Sequence, residues 1–137
     1  MVMGLYITKG LVRCRGKYLL LRKAKDILPA NNGKWECSGG KIREKEDPQD
    51  TILREVKEET GLDGKIVKEL PILHMRNEVF DSVCRVYVVD VRYDNVKLSE
   101  DHSEYKWVKP MDVKKMELVM FADLLLRYFN NPKEYDL

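Results

Sequence analysis

Three glutamates, Glu55, Glu58 and Glu59, stand close together in the segment between Gly40 and Leu62. Spacings of three and four residues place side chains on one face of a helix, so a helix here would gather the three carboxylates. Carboxylate oxygens are the ligands that hard divalent cations such as Mg²⁺ prefer. The ordinary alternative is a solvated helix face, because 35% of the residues in this chain are charged. The types and spacing of the neighbouring residues distinguish a metal site from a solvated helix face.

A helix with clear start and stop signals is predicted around these glutamates. Asp47 suits the N-cap, Pro48 suits the first helical position, and Asp50 adds negative charge in the first turn. Gly61 is a suitable residue for the end of the helix. The sequence therefore predicts one helix that carries all three carboxylates.

The predicted helix has an apolar arc and an acidic arc side by side. On a helical wheel Ile52, Leu53 and Val56 cover one arc, and the three glutamates cover the neighbouring arc. Arg54 and Lys57 fall outside both arcs, so Arg54 is interpreted as a structural residue that points away from the acids. A solvated helix has no physical reason to collect its acids against its buried edge, so the pattern favours a site at the edge of the core.

The spacing of the whole segment resembles the Nudix box. It fits G-x5-E-x7-R-E-U-x-E-E-x-G-U, in which U is aliphatic, through Gly40, Glu46, Arg54, Glu55, Val56, Glu58, Glu59, Gly61 and Leu62. With a background frequency of roughly 5–10% for each of the seven fixed residues, the chance of this match at one start position is on the order of 10⁻⁸. The resemblance implies an α/β fold, a Nudix-type α/β/α sandwich with a mixed β-sheet. It also implies an enzyme, a hydrolase acting on phosphorus-containing acid anhydrides.

The resemblance assigns roles to residues of the box. Glu55, Glu58 and Glu59 are implied as metal ligands and catalytic residues, and Glu55 is further implied to serve as the general base or to orient it. The backbone carbonyl of Gly40 is implied as another metal ligand, whereas Glu46 is interpreted as structural. The implied cofactor is Mg²⁺, with Mn²⁺ as a possible substitute. Chemistry requires a cation as well, because an acidic cluster would repel a phosphate substrate unless divalent cations lay between them.

An additional acid often completes the metal site of such proteins from a loop before a tryptophan-bearing strand. Here the segment S-E-D-H-S-E-Y-K-W offers Glu100, Asp101 and Glu104. Position alone leaves the choice open among the three. Glu104 is favoured as a metal ligand because the run E-Y-K-W-V is most similar to the pattern of small family members.

Residues before the box resemble MutT-like members of the family. Residues 35–40 read W-E-C-S-G-G, similar to W-E-F-P-G-G with serine in place of proline. Arg22 and Lys23 match a basic pair that approaches the phosphates in MutT-like proteins, although a solvated strand end is an equal alternative. Arg22, Lys23 and Trp35 are thus candidate substrate contacts. The favoured function is Mg²⁺-dependent hydrolysis of a nucleoside diphosphate derivative by a MutT-like nucleoside triphosphate pyrophosphohydrolase.

Two other functions stay open at this point. An ADP-ribose or nucleotide-sugar pyrophosphatase is the runner-up, but Glu78 stands where ADP-ribose enzymes tend to carry a proline. A catalytically silent Nudix-like domain could act as a ligand-sensing or RNA-binding module. Such domains usually show decay of the R-E-U-x-E-E core, which is intact here. The stretch after Trp107 lacks the asparagine that recognises the purine in the bacterial MutT enzyme, so specificity for oxidised guanine is not predicted.

Composition limits the partners and the location. A chain of 137 residues predicts a single domain, 1–137, and a net charge of +2 argues against an extended nucleic-acid surface. The longest apolar stretch, 118–129, is interrupted by Asp123 and Arg127, and the N-terminus does not resemble a signal peptide, so neither a membrane nor secretion is predicted. A small-molecule nucleotide is the expected partner, and a homodimer is possible because many family members dimerise.

Cysteine and histidine are not expected at the reaction centre. Cys14, Cys37 and Cys84 are odd in number and far apart, which predicts free thiols in a reducing, cytoplasmic compartment. A packed, unreactive thiol is the favoured interpretation of Cys37. His74 and His102 have no metal-ligand spacing and are interpreted as polar residues of a loop or strand.

The elements that must position these residues follow from periodicity and turn signals. Strands are predicted at 6–14 and 17–23 as a hairpin, at 35–42 with a break at Gly39-Gly40, and at 65–79, 82–93 and 105–108. A loop is predicted at 26–33, a helical turn at 110–115 and an amphipathic helix at 117–129. Strands, helix, strands and helix in this order predict a mixed sheet packed between helices.

Overall fold

The hairpin predicted at the start of the chain is present in the computed structural model, which describes residues 3–26 and 28–119. Strand β1 (Met3–Cys14) turns into β2 (Lys17–Lys23) through Arg15 and Gly16, whose φ angles are 52° and 78°. Two successive positive φ angles characterise a type I′ turn, whose twist matches that of the flanking strands. The hairpin prediction is confirmed.

The other elements follow in chain order. They are β3 (Trp35–Glu36), β4 (Ser38–Lys41), α1 (Pro48–Thr60), β5 (Gly64–Glu69), β6 (Leu73–Arg76), β7 (Phe80–Val91) and β8 (His102–Val108). Short 3-10 helices cover Pro29–Asn31 and Pro110–Lys115. Within the described ranges α1 is the one α-helix, and no helix there is long and apolar enough to cross a membrane.

Several predicted boundaries were wrong. The strand predicted at 35–42 breaks at Cys37, and Gly39 and Gly40 both lie inside β4. The strand predicted at 65–79 is two strands, β5 and β6, with Pro71 in the gap, where the missing N–H of proline removes a ladder hydrogen bond. Strand β8 begins at His102, three residues before the predicted start.

The helix predicted at 117–129 falls largely on residues outside the described ranges. Its first three residues are described and are not helical. Leu118 instead forms a parallel bridge with Trp35. The prediction of a helix starting at Glu117 is therefore wrong at its N-terminal boundary.

The sheet is mixed, as predicted. Strand β1 runs parallel to β7 from Met3↔Phe80 to Arg13↔Asp90 and antiparallel to β2 and β4. Strands β5 and β6 pair antiparallel with β7, and β3 and β8 pair antiparallel with β2. The α/β architecture with a mixed sheet is thus confirmed.

A crevice opens between β1 and β2. The two strands pair only beside their turn, at Arg13↔Tyr18 and Cys14↔Lys17. Farther from the turn, β4 takes the place of β2 along the edge of β1, and β3 and β8 flank β2. The sheet therefore splits into two arms, and the ends of several strands meet in the space between them.

Both faces of the sheet are buried. Along β7, Val86 and Val88 belong to one core cluster, and Tyr87 and Val89 belong to the other. Such alternation is expected when successive side chains of a strand point to opposite faces. One cluster contains Ile52 and Val56 of α1, and the other is closed by Val113 and Val119. Helix α1 is therefore fixed against one face by its apolar arc, as the wheel predicted.

The cysteines are buried and free. Cys14, Cys37 and Cys84 lie in the two core clusters without a disulfide. Burial raises the pKa of the Cys84 thiol to about 12 and raises that of Cys37 as well. A protonated, enclosed thiol is a poor nucleophile, which supports the interpretation of Cys37 as a packed residue.

Candidate active site

Helix α1 starts and ends where the sequence predicted. Asp47 occupies the N-cap position with extended backbone but makes no side-chain capping bond, and Pro48 is the first helical residue. Gly61 ends the helix in the left-handed conformation with φ of 74°, which glycine adopts at little cost. Ile52 and Val56 have no exposed surface. The buried stripe fixes the rotation of the helix, and with it the position of its glutamates.

Glu59 connects α1 to β4. Its Oε1 accepts a hydrogen bond of 2.7 Å from Ser38 Oγ and one of 2.9 Å from the backbone N–H of Gly39. The side chain is 9% exposed. Burial raises the pKa of Glu59 to about 6, although Lys9 and the hydrogen bond from Ser38 act in the opposite direction. Glu59 is therefore a buried carboxyl held in one direction by the strand beside it.

Glu55 lies directly over Gly40. A Cβ added to Gly40 would come within 2.6 Å of both Cδ and Oε1 of Glu55. The Glu55 side chain is 17% exposed, and burial raises its pKa against the opposing effect of Arg54. The Gly40 carbonyl accepts a long hydrogen bond of 3.4 Å from Thr8 Oγ1. Glycine at position 40 is thus what allows the carboxyl of Glu55 to approach the backbone of β4.

Arg54 contacts Glu55 and Glu58. The helical-wheel prediction that Arg54 points away from the acids was therefore wrong. Its Nη1 donates to Glu55 Oε1 at 3.0 Å and to Glu58 Oε2 at 3.2 Å. Its Nε and Nη2 donate to the two carboxylate oxygens of Glu46 at 2.8 and 3.0 Å. A wheel shows only the direction of the Cα–Cβ bond, and a long guanidinium side chain can bend back from it. The bidentate pair agrees with the structural role expected for Arg54 and Glu46.

This pairing has an electrostatic consequence for Glu46. The hydrogen bond from Arg54 lowers the pKa of Glu46 to about 2, with Thr51 and the backbone N–H of Arg43 as further donors. Glu46 therefore stays ionised at neutral pH and fixes the guanidinium beside Glu55 and Glu58.

The donor set suits a hard divalent cation by its chemistry. The carboxylates of α1 and the Gly40 carbonyl are all oxygen donors, which Mg²⁺ and Mn²⁺ accept. Within the described ranges, however, no group of three or more His, Cys, Asp or Glu side chains is arranged so that it could hold an ion. Glu55 and Glu58 bond to Arg54, and Glu59 bonds to β4. Both arginine contacts would have to be exchanged for cation contacts when an ion binds.

Glu104 and Arg22 lie together at the surface. Arg22 Nη1 and Glu104 Oε1 are 3.0 Å apart on the neighbouring strands β2 and β8, and Arg22 Nε donates to the carbonyl of Gly33 at 2.9 Å. The two side chains are 42% and 50% exposed. Among the described hydrogen bonds and ion pairs, none joins Glu104 to the glutamates of α1. Glu100 and Asp101 are also exposed.

Lys23 and Trp35 have different environments. Lys23 pairs with Asp26 and, at 3.4 Å, with Glu36. Trp35 is 8% exposed in the core, and Lys106 Nζ lies 5.4 Å from the centroid of its ring. The structure therefore places Lys23 in ion pairs with two acidic side chains and Trp35 within the packed interior.

A pocket of about 210 Å³ lies beside Lys23. Its walls include apolar side chains, and Lys9, Lys23, Asp26 and Glu36 bring charge to it. The apolar side chains of the wall are Leu5, Ile7, Leu28, Phe80 and Val119. An apolar pocket with a few polar groups is typical of small-molecule sites.

Sequence reasoning missed a buried polar cluster in the crevice. Glu36 Oε1 accepts from Lys9 Nζ at 2.8 Å, and Glu36 Oε2 lies 2.7 Å from His102 Nε2. Burial opposes ionisation of Glu36, but Lys9, His102 and Lys23 outweigh it and hold the pKa of Glu36 well below its usual range. These residues are far apart in the chain, and only Glu36 in the W-E-x-x-G-G pattern carried a signal.

Comparisons with known proteins agree with this geometry. The family model of the NUDIX domain matches residues 8–129. Nucleoside triphosphatase NudI of Escherichia coli O17:K52:H18 (strain UMN026 / ExPEC) is 27% identical over 130 residues, covering 85% of this chain and 90% of that protein. The corresponding NudI of Escherichia fergusonii is 26% identical over 122 residues, 79% of this chain and 84% of the relative.

A solved structure shares the fold. The crystal structure of the MutT protein from Methanosarcina mazei Go1 matches with a TM-score of 0.82 and 28% sequence identity, over 96% of each chain. The mixed sheet and the helix that carries the glutamates are therefore those of a MutT-like α/β/α sandwich.

Proposed function

Because the chain belongs to the Nudix hydrolase family, we propose that it hydrolyses a nucleoside triphosphate to the nucleoside monophosphate and pyrophosphate, with Mg²⁺ or Mn²⁺ as cofactor. The observation that carries the proposal is the joint placement of Glu55, Glu58 and Glu59 on α1, with Glu55 against Gly40 and Glu59 bonded to the backbone N–H of Gly39. The nucleoside triphosphatases among the relatives support the substrate class.

In the proposed mechanism Glu55, Glu58 and Glu59 would hold the cation together with the Gly40 carbonyl. When bound, the cation would lower the pKa of a water molecule and neutralise charge that develops on the phosphates. Glu59 contributes from a fixed position because Ser38 and Gly39 hold its Oε1. Glu55 activates or orients the attacking water, and its largely buried carboxyl, with a raised pKa, suits a proton acceptor.

The pocket beside Lys23 is assigned to the nucleoside end of the substrate. Its apolar wall would cover a base, and the ammonium group of Lys23 would exchange its ion pairs with Asp26 and Glu36 for phosphate oxygens. Lys23 lines the pocket, whereas Arg22 does not and is directed to Glu104 and Gly33, so Lys23 is the better candidate of the basic pair. The enclosed Trp35 would support the pocket from within the core. Of the downstream acids, Glu104 would have to leave Arg22 to act as a ligand.

The proposal also covers the cellular compartment of the protein and its number of domains. Free, buried cysteines support a reducing compartment such as the cytoplasm. One domain spanning 1–137 is proposed, since the family match runs over most of the chain.

A substrate panel tests the proposal. Nucleoside triphosphates, ADP-ribose, sugar nucleotides and dinucleoside polyphosphates would be compared by kcat/KM with Mg²⁺, and products would be identified by chromatography. We expect the highest kcat/KM for a nucleoside triphosphate, with pyrophosphate as a product and no turnover in EDTA. A clear preference for ADP-ribose, or undiminished hydrolysis in EDTA, would contradict the proposal.

A further inference from the structure

The crevice between the two arms of the sheet contains charged and polar side chains from six elements. They are Lys9 of β1, Lys23 of β2, Glu36 of β3, Ser38 of β4, Glu59 of α1 and His102 of β8. Buried charges are costly unless they are paired, so such a cluster must have a compensating arrangement. Here the arrangement is a chain of contacts that ends at a glutamate of the Nudix box.

His102 stands between two buried carboxyl groups. Its side chain is 2% exposed, its Nε2 lies 2.7 Å from Glu36 Oε2, and its Nδ1 lies 3.8 Å from Glu59 Oε2. Nδ1 is a buried atom without a hydrogen-bond partner among the described residues. The distance of 3.8 Å from Nδ1 to Glu59 Oε2 exceeds the length of an ordinary hydrogen bond, about 3.0 Å, by less than about 1 Å. A buried ring nitrogen left unpaired this close to a carboxylate requires an explanation.

Glu36 fixes the orientation of the ring. An ionised carboxylate only accepts hydrogen bonds, so the contact at 2.7 Å requires that Nε2 of His102 carry the hydrogen. Glu36 is itself held by Lys9 at 2.8 Å and Lys23 at 3.4 Å. The imidazole therefore cannot turn without breaking a charge-assisted bond, and Nδ1 stays directed at Glu59.

Glu59 has one fixed and one adjustable oxygen. Ser38 and Gly39 occupy Oε1, so rotation of the carboxyl changes mainly the position of Oε2. Oε2 is the oxygen that faces His102. His102, the neighbour of Oε2, therefore determines the direction in which the Glu59 carboxylate can present its lone pairs to a cation.

We propose that His102 is a positioning residue for Glu59, acting through an ordered contact series Glu36–His102–Glu59. When both ring nitrogens carry hydrogen, Nδ1 faces Oε2 as a donor and limits the rotation of the Glu59 carboxyl, and this keeps the group in the orientation needed for a cation. The proposal rests on the proposed function, in which Glu59 is a metal ligand. Partners of metal-ligating carboxylates typically change metal affinity about 10–100-fold when they are removed.

Two substitutions of His102 distinguish the contribution of Nε2 from that of Nδ1. In His102→Gln the amide can reach the position of Nε2 and keep the bond to Glu36, whereas in His102→Asn the shorter amide stays near Nδ1 and Glu59. Mn²⁺ affinity would be measured by electron paramagnetic resonance, beside kcat, KM and the melting temperature. We expect His102→Gln to bind Mn²⁺ about tenfold more weakly, with lower kcat and little change in KM for the nucleotide. His102→Asn should retain more of the Mn²⁺ affinity than His102→Gln.

The matched control is His74→Asn, because His74 is exposed on β6 and pairs with Asp81. It should leave Mn²⁺ affinity unchanged. If the wild type binds Mn²⁺ and folded His102→Gln binds it with the same affinity, this inference is overturned and the proposed function still stands. Absence of Mn²⁺ binding by the wild type would overturn both.

A measurement on the unaltered protein covers the case in which the variants unfold. With ¹⁵N-labelled histidine, saturation with Mg²⁺ should move the Nδ1 resonance of His102 and leave His74 in place. An unmoved His102 resonance at saturating Mg²⁺ would overturn the positioning role.

Discussion

Replacing Glu55 with glutamine is expected to lower kcat by about 10²–10⁴-fold, the usual contribution of a positioned acid–base group. The amide keeps the size of the side chain but removes the negative charge that would bind a cation and accept a proton. The fold should survive, because the hydrogen bond and ion pair of Glu55 are with Arg54, and glutamine keeps an oxygen that can accept from the guanidinium. Steady-state rates and thermal unfolding of the same preparation would measure both quantities.

Glu44→Gln provides the control for this substitution. Glu44 is exposed in the loop before α1, so its replacement makes the same change of charge near the site. Its kcat should remain close to that of the wild type. Equal loss in both variants would show that overall charge near α1, and not the position of Glu55, determines the rate.

The second large effect is expected from Gly40→Ala. The new Cβ would lie 2.6 Å from the Glu55 carboxyl, so that side chain must move away. A displacement of about 1 Å of a reacting group can reduce a rate about 10²-fold. Because the atoms in conflict belong to the end of a side chain, the melting temperature should change little. Kinetics and calorimetry on the purified variant would check both expectations.

Gly39→Ala gives the contrasting result. A Cβ there would lie 2.1 Å from the carbonyl oxygen of Thr8, which is backbone of the neighbouring strand, and φ of Gly39 is 156°. The sheet must distort, so the melting temperature should fall markedly. If Gly40→Ala lost stability as severely as Gly39→Ala, the assigned contact between Gly40 and Glu55 would not explain the loss of activity.

The parts of the fold that the sequence predicted well depend on local interactions. The turn at Arg15-Gly16 and the ends of α1 at Pro48 and Gly61 are determined by residues within a few positions. The apolar arc of α1 likewise needed only the helical period. The split of the predicted strand at 65–79 could have been anticipated from Pro71, because proline weakens a strand wherever its N–H is needed.

The rest of the site depends on contacts between distant segments. The bend of Arg54 towards Glu55 is set by Glu46, eight residues earlier, and a wheel contains no such information. The pairing of Glu36 with His102 joins residues separated by 66 positions. Sequence spacing could not reveal it, because the register of β8 on β2 decides which side chains enter the crevice.

Binding of Mn²⁺ to the wild type and to Glu58→Gln tests most directly whether the glutamates of α1 hold the cation used in hydrolysis. Glu58 is half exposed, and its contacts are with Arg43 and Arg54, so glutamine should preserve the fold. We expect the wild type to bind Mn²⁺ and Glu58→Gln to bind it at least about tenfold more weakly, in parallel with its loss of activity. Equal Mn²⁺ affinity in the two proteins would contradict the assignment of the metal site to α1.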